Sequence, residues 1–476
     1  MLARHSVYYF LSKVFPGIVE IIAIALYTRL LGENEYGIYV LVLGVVLLLD
    51  VSLFGWMRLS LVRYWPRYSE KELLSSLVVL YSIIVGFTMI CSIAAAMFWQ
   101  NTYALQIILS ALLLLWTKSW FELHLESVRS RLEPRNYGSL SIVRSAFSIL
   151  CGGVLAYLGY GAVGILIGMA IGNLLSFLLL GLKQWKGISF RLSDNFQLKQ
   201  FLSYGLPFTL SLSIGFFVNS VDRYMIAFIE SVESSGLYAA GYDLPGKVVS
   251  MLYVSMSLAA APLVIRAYEG EGAERAVEML KKYFTLICSI VIPSCIGIVI
   301  LSENIATVFL GEEFRNAAID IIPWITIGIL IGGFKSYYVD LCFQIAQKTH
   351  IQVWIAIFTL TVNVGLNLWW IPLYGIIGAA YSTLVTFLLS MSASWAMGRS
   401  FFKLPFLGGT LIKITIASVL MGGALWPLVH LRGELMLLVQ LIVGGIVYGA
   451  CYLFLNISDS KALLGGLNYF NHRRKK

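Results

Sequence analysis

Charge is what this chain has least of. Asp, Glu, Lys and Arg make up only 12% of its 476 residues, 59% are hydrophobic, and mean hydropathy is +0.83. A chain this poor in charge cannot cover a folded surface with polar groups, which excludes a water-soluble globular protein and leaves lipid as the solvent. Histidine is scarce too. His5, His124, His350, His430 and His472 are scattered without metal-ligand spacing, so neither a metal nor a cofactor site is expected. The six cysteines (Cys91, Cys151, Cys288, Cys295, Cys342 and Cys451) fall in or at the edge of apolar runs, where they act as small apolar residues, and no disulfide is expected. The first apolar run has no Ala-x-Ala site after it and is interrupted by Lys13 and Glu20, so it reads as a retained helix rather than a signal peptide. Long polar loops are missing as well, which leaves no room for an extramembrane domain.

What is present is a series of apolar runs of about 20 residues, the length of a membrane-crossing helix and twice that of a barrel strand. Fourteen are expected, at roughly 10–31, 37–57, 73–98, 104–121, 139–158, 163–182, 206–229, 237–262, 284–301, 319–341, 352–371, 376–397, 408–429 and 435–455. An even number puts both termini on one side. On that side the loops and termini hold 24 basic residues, whereas the other side holds only Arg315 and Arg432. Because Lys and Arg are retained in the cytoplasm, both termini are expected there. This distribution also explains the net charge of +9 without any nucleic-acid partner, since the charges are spread over every cytoplasmic loop. The tail Arg473-Arg474-Lys475-Lys476 could touch anionic lipid headgroups, although most such tails are simply topology signals.

Two local patterns recur at long spacing. Gly37-Ile38-Tyr39 enters the second span as Gly236-Leu237-Tyr238 enters the eighth, 199 residues later. Tyr160-Gly161-Ala162-Val163-Gly164 enters the sixth as Tyr374-Gly375-Ile376-Ile377-Gly378 enters the twelfth, 214 residues later. Both pair a span with the one six places on, so the two copies share an orientation and should be related by an axis along the membrane normal. The expected architecture is an all-α polytopic membrane protein: two six-helix bundles around a central cavity, residues 1–200 and 201–403, with the last two helices and a basic tail at 404–476.

Thr28-Arg29-Leu30-Leu31-Gly32-Glu33-Asn34-Glu35-Tyr36-Gly37-Ile38-Tyr39 resembles the polysaccharide transporter (O-antigen flippase) family of the multidrug/oligosaccharidyl-lipid/polysaccharide exporter superfamily. Tyr204-Gly205-Leu206-Pro207, Asp222-Arg223 and Gly236-Leu237-Tyr238 carry the same resemblance. One departure is Ala346-Gln347-Lys348, where the family pattern has glycine before the basic residue. The resemblance implies a carrier, not an enzyme, that moves an undecaprenyl-pyrophosphate-linked oligosaccharide from the cytoplasmic to the periplasmic leaflet of the inner membrane by alternating access. Surface-polysaccharide polymerase and glycosyltransferases would be its partners. Physics sets the same requirement, because each sugar hydroxyl bared to hydrocarbon costs roughly 2–7 kcal/mol and the pyrophosphate is anionic. Such a carrier needs a wet, cationic interior.

Eight basic residues fall inside the expected spans: Lys13, Arg29, Lys118, Arg144, Arg223, Lys247, Lys335 and Lys413. Each costs at least ~2.5–3.5 kcal/mol near the bilayer centre unless it meets water or a partner. Six acidic residues accompany them, Glu20, Asp50, Asp222, Asp243, Asp320 and Asp340, so the interior is net positive. Arg223 and Lys247 are the first candidates to hold the pyrophosphate, supported by Arg29, Arg144 and Lys335. Glu20, Asp50, Asp222 and Asp243 are candidates for ion coupling or structural pairing. Lys13 and Glu20 share one helical face, and Arg29 lies on the opposite one. Asp243 and Lys247 are four apart in the favourable acid-first order, with Pro245-Gly246 between them. Asp222 and Arg223 are adjacent, point about 100° apart, and should each find a partner on another helix.

One motif is a decoy. Gly241 to Val248 matches a nucleotide-binding G-x-x-x-x-G-K pattern, but Val248 stands where Ser or Thr would hold Mg²⁺, and the segment lies in a membrane span. The Asn456-Ile457-Ser458 sequon is expected on the cytoplasmic side and unmodified. Two rival functions remain: a cation-coupled drug exporter of the same fold, which an acidic cavity would favour, and a membrane glycosyltransferase or ligase, which would need a sizeable external loop.

Overall fold

The computed structural model describes residues 2–98, 101–192 and 197–455, and among these all regular structure is helical. The helices are α1 (Leu2–Leu30), α2 (Glu33–Arg67), α3 (Glu70–Phe98), α4 (Thr102–Ser130), α5 (Pro134–Leu155), α6 (Gly161–Ser176), α7 (Leu198–Val218) and α8 (Val221–Ile229). They continue with α9 (Val232–Glu271), α10 (Ala273–Ile300), α11 (Ser302–Phe309), α12 (Glu312–Ile345), α13 (His350–Gly398), α14 (Gly408–Leu425) and α15 (Glu434–Leu455). The basic tail, the sequon and the side chain of Lys13 lie outside the described residues.

Among the described residues, eleven helical stretches are long and apolar enough to cross a membrane. Two of them, Pro134–Trp185 and His350–Gly398, run to 52 and 49 residues, twice what a bilayer needs. Each reverses at a glycine: Gly161 (φ 53°, ψ −138°) and Gly375 (φ 62°, ψ −144°) adopt nearly the same conformation, one that only glycine reaches without strain. Counting both reversals and α1, every one of the fourteen expected spans falls on helix. The seventh differs in being broken at Asn219-Ser220 into α7 and α8. Helices also run past the apolar windows. Arg58, which a span boundary at 57 leaves in a loop, lies inside α2.

The repeat is visible in the backbone. Gly168 packs on Gly152 and Gly172 on Ser148, so α5 and α6 form a close antiparallel hairpin about the 160–161 turn. Gly378 packs on Trp370 across the 374–375 turn in the same way. A carboxylate serves each turn: Glu35 Oε2 accepts the Ala162 N–H at 2.7 Å, and Glu230 approaches Gly375. A Cβ on Gly37 would collide with the Val232 carbonyl, and one on Gly236 with the Glu33 carbonyl. Subtracting 199 from Val232 and Gly236 returns Glu33 and Gly37. The contact is reciprocal, as a two-fold relation requires.

Helix ends repeat as well. After α4, Leu132 N–H bonds Arg129 O and Glu133 N–H bonds Val128 O; after α12, Gln347 N–H bonds Gln344 O and Lys348 N–H bonds Phe343 O. This pattern places a left-handed residue, normally glycine, just past the helix. Here Leu132 (φ 61°) and Gln347 (φ 56°) occupy it. Gln347 is the position where the family pattern has glycine, so the turn is kept and the residue bears the strain.

The chain forms two compact units, Met1–Ala240 with Ala356–Ala379, and Gly241–Ile355 with Ala380–Lys476. In the first, α7 runs antiparallel along α2. Ser60 Oγ donates to Phe201 O at 2.9 Å, the Ser52 and Ser213 hydroxyls are 2.9 Å apart, and Tyr224 of α8 donates to Leu41 O at 3.1 Å. Small residues let these backbones approach, the usual basis of helix association in lipid. In the second unit α10 supports α12 and α14. Tyr253 donates to Leu330 O at 2.7 Å and Tyr338 to Pro405 O at 2.6 Å. Asn304 Nδ2 donates to Gln440 Oε1 at 2.7 Å, and Arg432 pairs with Glu303, which anchors α15 on α11.

Candidate intramembrane charge sites

Among the described residues, three groups of buried or half-buried charged side chains stand out within the helices. The largest group lies where α2, α4 and α5 meet in the first unit. The regular α2 geometry gives way to a π turn over Asp50–Phe54, and Asp50 at its start is buried. Such turns re-aim side chains and recur at functional sites. Arg58 Nη1 reaches both Asp50 carboxylate oxygens, at 2.9 and 3.0 Å, and the Ser119 hydroxyl donates to Oδ1 at 2.8 Å. Lys118 Nζ stands 3.5 Å from Asp50 Oδ2 and 3.5 Å from Glu122 Oε1. Glu122 Oε1 in turn accepts from Arg144 Nη1 at 2.8 Å, and the Arg144 guanidinium lies over the Phe121 ring at 5.1 Å.

Three cations thus share two carboxylates. Arg58 and Arg144 sit roughly 14 Å along their helices from the ends at Arg67 and Pro134, at a rise of about 1.5 Å per residue. Those ends, and that of α4 at Ser130, lie on one side because consecutive spans alternate in direction. The side chains of Arg58, Lys118, Arg144 and Glu122 keep 15–24% of their surface exposed. Charges exposed at that depth need water, since lipid tails cannot solvate them.

The second group surrounds Asp222 at the start of α8. Its Oδ1 accepts from Asn367 Nδ2 at 2.6 Å and its Oδ2 from Tyr238 at 3.2 Å. Asn367 Nδ2 also donates to Asn363 Oδ1 at 3.0 Å. All four residues are buried, and Asn367 Oδ1 has no hydrogen-bond partner among the described residues. The third is a pair at a π turn of α12, Lys335 Nζ donating to Asp340 Oδ2 at 2.9 Å.

The candidate residues are therefore divided among these places. Arg144 and Asp50 belong to one network, Asp222 has partners on α9 and α13, and Lys335 is paired within its own helix. Glu20, Arg29, Arg223, Asp243 and Lys247 are each engaged in contacts as well. Asp243 and Lys247 lie on α9, which runs unbroken through Pro245. Gly241–Val248 is likewise helical, which disposes of the nucleotide-binding decoy. Sequence reasoning missed Arg58 and Glu122, both just beyond the apolar windows, and Asn363 and Asn367. The four-residue spacing of the two asparagines on one helical face was the available signal.

A family profile described as polysaccharide biosynthesis protein matches residues 26–319. Over 459 residues the chain is 21% identical to the probable low-salt glycan biosynthesis flippase Agl15 of Haloferax volcanii, covering 94% of both chains. Among solved structures it resembles the lipid II flippase MurJ in an inward closed conformation, with a TM-score of 0.78, 16% identity, and coverage of 95% of this chain and 99% of that one. It also resembles an outward-facing multidrug resistance MATE transporter of the MOP superfamily, with a TM-score of 0.57, 15% identity, and coverage of 84% and 94%. The fold is that of MurJ and the MATE transporters.

Proposed function

The chain belongs to the polysaccharide biosynthesis protein family, and on that premise we propose that it is a flippase moving an undecaprenyl-pyrophosphate-linked oligosaccharide from the cytoplasmic to the outer leaflet by alternating access. The observation that carries this reading is the net-positive, partly exposed charge network roughly 14 Å inside the helix ends of the first unit. An anionic, hydroxyl-rich headgroup offsets the cost of holding such charges in the membrane, and a cationic drug would add to it. The names of Agl15 and MurJ, a probable glycan-biosynthesis flippase and a lipid II flippase, point the same way. The likeness to a MATE transporter keeps a cation-coupled drug exporter as the second reading.

In this reading the protein is a multi-pass protein of the inner membrane with both termini cytoplasmic, and it works beside a polymerase and glycosyltransferases. Arg223, Lys247, Arg29, Arg144 and Lys335 contact the headgroup at stages of its passage. Asp222, with the amide oxygens of Asn363 and Asn367, offers the hard oxygen donors that suit a coupling cation. Glu20, Asp50 and Asp243 hold helices through their pairs.

The test is export in cells lacking the native gene. Arg223→Gln and Lys247→Gln should accumulate normally yet lose at least about tenfold of surface glycan, as expected when a charge-assisted contact to cargo is removed. Lys403→Gln, at the foot of α14, should export as wild type. Normal export by both variants would remove these residues from the cargo path. Normal glycan in the deletion strain itself, with new sensitivity to cationic dyes, would replace the flippase by the drug exporter.

A further inference from the structure

The charge network is built from two unlike halves. Asp50 is nearly inaccessible, with 3% of its side chain exposed, and it is held by both oxygens. Arg58 and the Ser119 hydroxyl make three hydrogen bonds to it, and Arg58 Nη2 also reaches the Asp50 carbonyl at 3.4 Å. This half is fixed. Glu122 is eightfold more exposed, at 24%, and approaches both cations through Oε1, at 2.8 Å from Arg144 and 3.5 Å from Lys118. Arg144 uses one of its five donors on Glu122 and rests its face on Phe121. Lys118 is stretched equally between the two carboxylates, touching neither closely.

Arg144 and Lys118 thus present a guanidinium fork and an ammonium to one loosely held carboxylate oxygen. That is the donor set a phosphate or pyrophosphate group takes up, one by its planar fork and the other as a point charge. We propose that Lys118 and Arg144 form a clamp for the pyrophosphate of the lipid-linked cargo, and that Glu122 is a resident counter-anion which the pyrophosphate displaces. The proposal rests on the flippase reading and gives it a specific site. A carboxylate in that place keeps the clamp from standing as two unpaired cations between transport cycles. It also sets the affinity: the cargo must outcompete Glu122 to enter, and Glu122 competes to release it. Arg58 and Asp50 position Lys118 without touching the cargo.

A merely structural chain of ion pairs predicts that losing Glu122 and losing Arg144 are equivalent, since either breaks the same pair. The displacement model predicts opposite signs. The experiment measures thermal stabilisation of the purified full-length protein in detergent micelles, titrated with undecaprenyl pyrophosphate, undecaprenol, inorganic pyrophosphate or phosphatidylglycerol. Wild type should respond to undecaprenyl pyrophosphate and, more weakly, to inorganic pyrophosphate, but not to undecaprenol. Arg144→Gln and Lys118→Gln should each bind undecaprenyl pyrophosphate about tenfold more weakly, and Glu122→Gln about tenfold more tightly. Should Glu122→Gln not accumulate, Glu122→Asp, which keeps the charge but shortens its reach to Arg144, should tighten binding severalfold. Arg144→Lys should recover part of what Arg144→Gln loses.

Glu122 variants that bind like wild type or more weakly, or an Arg144→Gln that binds like wild type, would overturn the clamp and leave the flippase reading intact. A response to phosphatidylglycerol alone, lost in Arg144→Gln, would assign the site to a membrane lipid headgroup and overturn it too. A wild-type protein stabilised by none of the polyprenyl compounds would bring down the flippase reading, and the clamp with it.

Discussion

Leu132 and Gln347 carry strain that the chain could shed. Each holds a left-handed backbone just past a helix end, where an L-residue costs roughly 1–2 kcal/mol, and glycine would give back part of that gain through a more flexible unfolded chain. Gln347→Gly and Leu132→Gly should therefore each stabilise by about 0.5–1 kcal/mol, seen as a raised melting temperature in micelles. Unchanged or lowered melting would mean that their side chains contribute more than the backbone costs. The departure from the family pattern at Gln347 was legible in the sequence as a missing glycine. Its consequence was not, because a left-handed residue shows itself only through the two hydrogen bonds that close the turn. The opposite substitution is expected to harm at Gly161, where φ is positive and Glu35 crowds the Cβ position. Gly161→Ala should cost about 1–3 kcal/mol, whereas Gly86→Ala, on α3 with open space around it, should cost little.

At the scale of helices, the starts of α2 and α9 meet through Gly37 and Gly236, and alternating access on a two-fold scaffold requires a contact of this kind to part in each cycle. With the six native cysteines replaced, Glu33→Cys/Val232→Cys, which leaves both glycines in place, should cross-link with a short, reducible thiol-reactive reagent, stop glycan export, and recover on reduction. Full export by the cross-linked protein would show that α2 and α9 stay together throughout. The repeats that led to these helices could be read from Gly37-Ile38-Tyr39 and Tyr160-Gly161 because glycine is required by a close approach in one case and by a positive φ in the other. The charge network could not be read in this way. Hydropathy windows end where charge begins, so Arg58 and Glu122 fell outside the expected spans although their helices continue to Arg67 and Ser130. Their partners come from three helices, and a linear sequence does not fix which faces of those helices meet. Asp222 gave the reverse case: its adjacency to Arg223 argued against a mutual pair, but nothing local pointed to Asn367, 145 residues away.

For the whole molecule, the uneven distribution of Lys and Arg predicts that a fluorescent protein fused after Lys476 fluoresces in the cytoplasm and that alkaline phosphatase fused there is inactive. An active phosphatase would mean an odd number of crossings. Transport itself is tested by translocation in proteoliposomes loaded with an undecaprenyl-pyrophosphate-linked oligosaccharide. A membrane-impermeant glycosidase added outside removes a terminal sugar only from headgroups in the outer leaflet. With the protein present, the cleavable fraction should rise from the outer-leaflet share towards completion, and Arg144→Gln should slow that rise by about tenfold at an unchanged protein-to-lipid ratio. A cleavable fraction that stays at the level of protein-free vesicles, in liposomes where the same protein moves a cationic dye, would contradict the account.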